Sequence, residues 1–339
     1  MGETFPMKGG DDAHSYSKNS RYQKLASDTV KEMIQEAVSE YLATESMSSR
    51  VTIADLGCSV GLNTFFAVQN LMEAVEAKWS SKNKLEFQVF FNDHSANDFN
   101  TLFTSLPPDR QYHAAGVPGS FHGRLFPCNS ITVAYSSQSL HWLSKQPQGL
   151  HNEGRIHGSG APEHVARAYS DQFEKDLGDF MSARAEEIVS GGLMFLLMPG
   201  TPEGVPQTEL SAIFDYYGYT LMDLAKEGVV EKSAIDAFNL PIHIPTLEEM
   251  RKVIEKNGHF SIERIELINP KAGIEEALDA ATVLVHMRAA MEGVFTAHFG
   301  ASVVDKMFAN VLPKAPQISH CFQALHNIHN QLFLVLTRK

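Results

Sequence analysis

Val51-Thr52-Ile53-Ala54-Asp55-Leu56-Gly57-Cys58-Ser59-Val60-Gly61-Leu62-Asn63-Thr64-Phe65 is the stretch that decides the fold. Val51, Ile53 and Leu56 suit a short buried strand, Asp55 to Gly61 form a glycine-bearing turn, and the apolar residues beyond Asn63 start a helix. Strand, glycine turn and helix N-terminus together make a nucleotide-binding element. Glycines admit a ligand close to the backbone, and the free N–H groups of the helix receive its polar end. The spacing is Asp-x-Gly-x-x-x-Gly, not the Gly-x-Gly-x-x-Gly that cradles a pyrophosphate. This version suits S-adenosylmethionine, which has no pyrophosphate and lays its amino-acid tail against the turn. Asp55 and Gly57 are then cofactor contacts; a plain tight turn is the alternative.

The chain has 339 residues, enough for a large core or for one domain carrying a sizeable insertion. Lys plus Arg is 28 against 40 Asp plus Glu, a net charge of −12, and no basic stripe stands out. Nucleic acid and anionic membrane are poor partners for such a chain. Cys58, Cys128 and Cys321 show no paired spacing of the kind that zinc or a disulfide framework needs. The start, MGETFPMKGG, has no apolar signal core, and no apolar run approaches membrane-spanning length. A reducing compartment, the cytoplasm, is the expectation.

Residues 1–20 are polar and glycine-rich and read as an arm. Apolar residues at helical spacing predict helices over Val30–Leu42, beyond Gly61, over Pro162–Val189, Leu210–Lys226, Leu247–Lys256, Leu278–Phe299 and Ala301–Leu312. Strands are predicted at Leu85–Asn92, Ile131–Tyr135, Leu193–Met198, Phe260–Ile268 and Gln331–Thr337. Leu193–Met198 is apolar on both faces and therefore central, and Gln331–Thr337 reads as an edge or hairpin strand. The alternation predicts an α/β fold: a doubly wound, mostly parallel Rossmann-like sheet with an α-helical cap over the C-terminal strand ends. The expected division is an arm and core over 1–200, a first cap insertion over 201–257, a core strand over 258–269, second cap helices over 270–325 and a closing strand over 326–339. Leu85–Asn92 ends in Asp93, about 40 residues past Asp55, where a ribose would need a carboxylate. An Asp capping the next helix explains Asp93 equally well.

Four more stretches go further: Met7-Lys8-Gly9-Gly10; Ser15-Tyr16-Ser17-Lys18-Asn19-Ser20-Arg21-Tyr22-Gln23; Gly116-Val117-Pro118-Gly119-Ser120-Phe121-His122-Gly123-Arg124-Leu125-Phe126-Pro127; and Ser139-Leu140-His141-Trp142-Leu143-Ser144. With the glycine turn and Phe91-Asn92-Asp93, they make the chain resemble the plant SABATH methyltransferases, from Phe5 to the last strand. That family methylates the carboxylates of salicylate, benzoate, jasmonate, indole-acetate, farnesoate and loganate, and the xanthine nitrogens of caffeine synthesis.

The resemblance implies a role for each matching residue. Tyr16, Ser20, Cys58 and Asn63 match contacts to the methionine part of S-adenosylmethionine, and Asp93 matches the ribose carboxylate. His94 falls beside the adenine, where many relatives carry Leu. Ser120 and Phe121 match the adenine clamp, and Ser136 lines the cofactor side. Lys8 falls with the substrate contacts. Gln23 and Trp142 match the pair whose N–H groups hold a substrate carboxylate. His141 contacts substrate and, in the N-methylating members, assists with a proton. Asp236, Phe238 (through its carbonyl) and Asn239 match a structural Mg2+ site, whose further ligand in relatives is an Asn that falls near Ser159 or Gly160, where none stands. A homodimer is implied as well.

Gln138 departs from the family, many of whose members carry Tyr there. An amide gives more room and a polar contact, which argues against a planar xanthine and for a larger acid bearing hydroxyl or carbonyl groups. His243 adds a polar contact, Met287 lies on the helix that lines the acyl pocket, and a small Ala290 again leaves space. The expected activity is S-adenosylmethionine-dependent O-methylation of a small carboxylic acid of plant metabolism. The alternatives are N-methylation of a xanthine-like purine and a silent cofactor-binding paralogue.

Overall fold

In the computed structural model the described residues are 21–43, 49–79, 84–205, 207–272 and 279–339. Strands β1 (Arg50–Leu56), β2 (Glu86–Asp93), β3 (Tyr112–Pro118), β4 (Ile131–Ser137), β5 (Ile188–Pro199), β6 (Phe260–Ile268) and β7 (Gln331–Arg338) form one sheet in the order β3-β2-β1-β4-β5-β7-β6. β1 to β5 pair in parallel, and β7 runs antiparallel to both β5 and β6. The helices are α1 (Arg21–Thr29), α2 (Lys31–Tyr41), α3 (Leu62–Lys78), α4 (Phe99–Thr104), α5 (Glu163–Glu187), α6 (Glu209–Lys226), α7 (Lys232–Ala237), α8 (Leu247–Asn257), α9 (Ala280–Phe299), α10 (Ala301–Val311) and α11 (Ala315–Leu325).

Successive strand residues point to opposite faces, so each strand feeds two cores. Val51 and Ile53 of β1, Val133 of β4 and Phe195 of β5 join α1, α2 and α3 on one face. Ala54 and Leu56, Ala134 and Leu196 join α5 and α8 on the other. A third apolar cluster draws Phe214 and Tyr217 from α6, Ile235 from α7, Phe295 from α9, Met307 from α10 and Phe322 from α11, and it forms the cap. Thr208 and Ser211 make a capping box at the start of α6 in the cap, while on the sheet face Thr246 and Glu249 make one at the start of α8 and Gly258 (φ 75°) ends α8 in the left-handed region.

Three expectations need correction. β7 is not an edge: it lies between β5 and β6 and is buried from Gln331 to Leu336, so β3 and β6 form the edges. β3, α7 and α11 were not anticipated; β3 (YHAAGVP) carries small residues on a half-exposed edge and lacks an alternating apolar pattern. The helix expected over Pro162–Val189 stops at Glu187. β5 has already begun at Ile188, and Gly191 (φ 75°) accompanies a register shift against β4.

Candidate active site

The ends of β1 and β4 open a cleft lined by Asp55, Gly57, Cys58 and Asn63 from the first turn, by Tyr135, Ser137 and Gln138 from β4 and beyond, and by Ser27 from α1. The turn is shaped by its residues. Gly57 takes φ 87° and Ser59 φ 51°, and the N–H groups of Gly57 and Cys58 both bond the Asn92 carbonyl, at 2.8 and 3.0 Å. A Cβ on Gly57 would lie 2.1 Å from Ser139 Oγ, so glycine is needed for conformation and for space. Gly61 is the N-cap of α3 with ordinary negative φ, and no side chain caps that helix. Gly61, Asn63 and Thr64 at the start of that helix line the cleft.

Asp55 is buried and accepts from the Thr64 hydroxyl. Burial pushes its carboxyl up to about 7, against the Thr64 hydrogen bond and with a further push from Asp93. Asp93 ends β2. Its Oδ2 accepts the Ser59 N–H and its Oδ1 the His94 N–H, both at 2.7 Å, which leaves each oxygen a lone pair for a hydroxyl donor. Burial raises its pKa, and the two N–H bonds oppose the rise. Asp93 therefore does not cap α4; Asp98 does. The buried Cys58 thiol is pushed well up and stays neutral. Ser136 is buried, its hydroxyl donating to the Leu56 carbonyl at 2.9 Å. Phe121 is buried beside the turn, 3.6 Å from where a Gly57 Cβ would stand, while Ser120 is exposed at the mouth.

The Ser139–Leu143 segment is pinned from two sides. Ser139 Oγ donates to the Gly57 carbonyl at 3.2 Å, and on the cap side His243 N–H bonds the His141 carbonyl at 2.9 Å and Leu143 N–H bonds the Pro241 carbonyl at 2.8 Å. Trp142 bridges Ile242 and packs against the cap cluster. His141 is buried with no partner on Nδ1, and burial lowers it to about 3, so the ring is neutral at physiological pH. Downstream, Asp176 of α5 accepts from the Ser144 N–H at 2.8 Å and hydroxyl at 2.7 Å. Gln138 (φ 56°) donates from Nε2 to Gln331 Oε1 at 2.6 Å, so half its amide is already committed.

Other expected contacts are distributed differently. Lys8, Tyr16 and Ser20 lie outside the described residues, and Gln23 stands on α1 one turn before Ser27. His243 lines a second cavity, of about 220 Å³, together with Glu249, Thr208 and Thr246. Its ring rests 5.0 Å from Phe173, and its Nε2 lies 3.1 Å from Glu249 Oε1. Burial would raise Glu249, but His243, Ser170 and the Thr246 N–H hold it down at about 2. Met287 is buried in the cap cluster, with Ala290 packed against it.

Among the described residues no group of three or more His, Cys, Asp or Glu side chains is placed to hold a metal ion. Asp236 bonds Lys232 through Oδ2 at 2.5 Å, Phe238 is fully buried, and Asn239 is buried. Asn152 Nδ2 donates to the His157 carbonyl at 3.0 Å and to Asn239 Oδ1 at 3.4 Å. Oδ1 of Asn152 and Oδ1 of Asp236 are both buried with no hydrogen-bond partner. A buried carboxylate oxygen and a buried amide oxygen without partners are donors of the kind a hard cation such as Mg2+ takes.

Residues 2–339 match the family described as SAM-dependent carboxyl methyltransferase. The chain is 44% identical to loganic acid O-methyltransferase of Catharanthus roseus over 99% of this chain and 95% of that protein. It is 41% identical to farnesoic acid carboxyl-O-methyltransferase of Arabidopsis thaliana, covering 94% of each. It is 38% identical to paraxanthine methyltransferase 2 of the same plant, covering 98% of each. A solved loganic acid methyltransferase with SAH superposes with a TM-score of 0.93 over 98% of this chain and 99% of that one. The chain belongs to the SAM-dependent carboxyl methyltransferases, the SABATH family, and is an S-adenosylmethionine-dependent methyltransferase.

Proposed function

We propose that the chain esterifies the carboxylate of a small but bulky, hydroxyl-bearing plant acid, with Gln23 and Trp142 holding the carboxylate. When bound, S-adenosylmethionine supplies an electrophilic methyl group on a sulfonium. Asp93 accepts the ribose hydroxyls, the N-terminus of α3 and Asp55 receive the amino-acid tail, and Phe121 covers the adenine. The acid has a pKa of about 4 and arrives ionised, so this chain need not supply a base. Its task is to hold the reactants in line and keep water out, and positioning is worth up to roughly 7–11 kcal/mol. The carrying observation is the double anchorage of Ser139–Leu143, which fixes Trp142 against the glycine turn and the cap at once. Neutral His141 offers a hydrogen bond from inside the site.

Two relatives are named for acids, loganic and farnesoic. The relative named for paraxanthine is the other reading, and Gln138, tethered to Gln331, offers a purine no flat wall. Mg2+, where bound, would be held by Asp236, Asn152, Asn239 and the Phe238 carbonyl. Its role is structural, since transfer to a carboxylate needs no Lewis acid. The homodimer and the cytoplasmic setting rest on family membership alone; no described helix is long and apolar enough to cross a membrane. Trp142→Ala tests the division of the site. The expected result is at least a 100-fold loss of kcat/KM for the acid, with SAH affinity within threefold of wild type. Loss of SAH affinity in the same proportion would show that Trp142 belongs to the cofactor site.

A further inference from the structure

We infer that the buried ion pair Arg184–Glu187 at the end of α5 is a positioning device for the cofactor's adenine, acting through the loop 121–126. The inference rests on the adenine role proposed for Phe121.

Arg184 and Glu187 are 1% and 0% exposed, with Nε 2.7 Å from Oε2. Burying such a pair is a poor route to stability, because desolvation offsets the attraction, so what else the two groups bond is informative. Among the described residues, every further side-chain hydrogen bond of the pair goes to the backbone of one loop. Arg184 Nη1 donates to the Phe121 carbonyl at 2.8 Å and Nη2 to the Gly123 carbonyl at 2.9 Å. Glu187 Oε1 accepts the N–H groups of Leu125 at 2.5 Å and Phe126 at 3.0 Å. Four main-chain groups in six residues are thus fixed by a planar fork and a carboxylate, in a segment with no helix or strand of its own.

The end of β3 and the residue after it, which lead into this loop, are held from the sheet side. Asn92 Nδ2 donates to the carbonyls of Val117 at 2.8 Å and Gly119 at 3.0 Å, and Gly119 N–H bonds the Asp93 carbonyl at 2.9 Å. Ser120 and Phe121 lie between the two clasps. The Phe121 ring is set edge-on to Phe180 at 5.9 Å, and Phe180 carries the Arg184 guanidinium 5.1 Å above its face. The adenine-side wall is therefore pre-formed, and its shape is transmitted from α5. Neither residue touches the acid-binding segment in any hydrogen bond described here.

The test is binding of adenosine and of SAH to the full chain by calorimetry, with steady-state kinetics on an acid that is turned over. Arg184→Lys keeps the charge and loses the fork. It is expected to raise both dissociation constants at least fivefold, leaving kcat at saturating cofactor and KM for the acid within twofold. Combined with Phe121→Ala, it should weaken SAH no further than Phe121→Ala does alone. Unchanged binding in Arg184→Lys, additive losses, or an equal rise in KM for the acid would each overturn the inference. If Arg184→Lys does not fold, the double variant Arg184→Met with Glu187→Met, which leaves no unpaired charge, is measured against the same thresholds. If Phe121→Ala itself leaves SAH affinity unchanged, the adenine reading has failed; if Phe121→Ala weakens SAH and Arg184→Lys does not, only the positioning inference has.

Discussion

Gln138 Nε2 and Gln331 Oε1 are 2.6 Å apart, so the loop after β4 is bonded to the first residue of the last strand. Gln331 is 2% exposed, and Gln138 holds a left-handed backbone with its N–H on the Leu197 carbonyl at 2.7 Å. Gln138, expected to give room and a polar contact to the substrate, is thereby tethered through Nε2 to the last strand of the sheet.

Replacing the tether should change substrate preference more than cofactor binding. Gln331→Leu removes the acceptor of a partly buried amide, a loss of about 1 kcal/mol of folding stability, and by freeing the Gln138 side chain should lower kcat/KM for a bulky acid more than for a small one. Gln138→Tyr should shift the ranking of acids toward small flat rings. Competition between a bulky and an aromatic acid checks both. An unchanged ranking in Gln138→Tyr would remove Gln138 from the substrate wall.

Cofactor binding should release a proton near neutral pH. Asp55 sits at about 7 when the cleft is empty, because burial disfavours its charge. An ammonium group bound beside it favours the carboxylate and lowers that value. Calorimetry of SAH binding at pH 6.5, in buffers of different ionisation enthalpy, should show release of a substantial fraction of one proton. Asp55→Asn should abolish the buffer dependence, and buffer-independent heats in the wild type would contradict the assignment.

His141 titrates at about 3, pushed down by burial from an ordinary 6.5. With cofactor and acid saturating, kcat should therefore be flat from pH 6 to 9, whereas deprotonation of a purine would give a rising limb. The same shift affects folding. Between pH 6.5 and 3 the unfolded chain takes up a proton that the native chain refuses, so this contribution is full above 6.5 and falls with pH below it. The slope is about 1.4 kcal/mol per pH unit. Urea midpoints of wild type and His141→Asn should converge relative to one another as pH drops from 7.5 to 4.5; a constant difference would show that His141 is not buried neutral.

The core of the fold was legible because its determinants are local. The Asp55–Gly61 turn, the strand ending in Asp93 and the Phe260–Ile268 strand carry their own apolar patterns and breakers. What escaped is set by distant partners. The interior place of β7 depends on a crossover that no local pattern encodes. Ser139 matters because it fills the space Gly57 leaves. Arg184 and Glu187 resemble any charged end of a surface helix until the 121–126 loop closes over them.

The most direct measurement is transfer of labelled methyl from S-adenosylmethionine to a panel of benzoate, salicylate, jasmonate, indole-acetate, farnesoate, loganate, gibberellin and xanthines. The expected product is a methyl ester of a bulky acid, its label released by mild alkali, with no transfer to xanthines. Alkali-stable label on a xanthine and none on any acid would contradict carboxyl methylation by this chain.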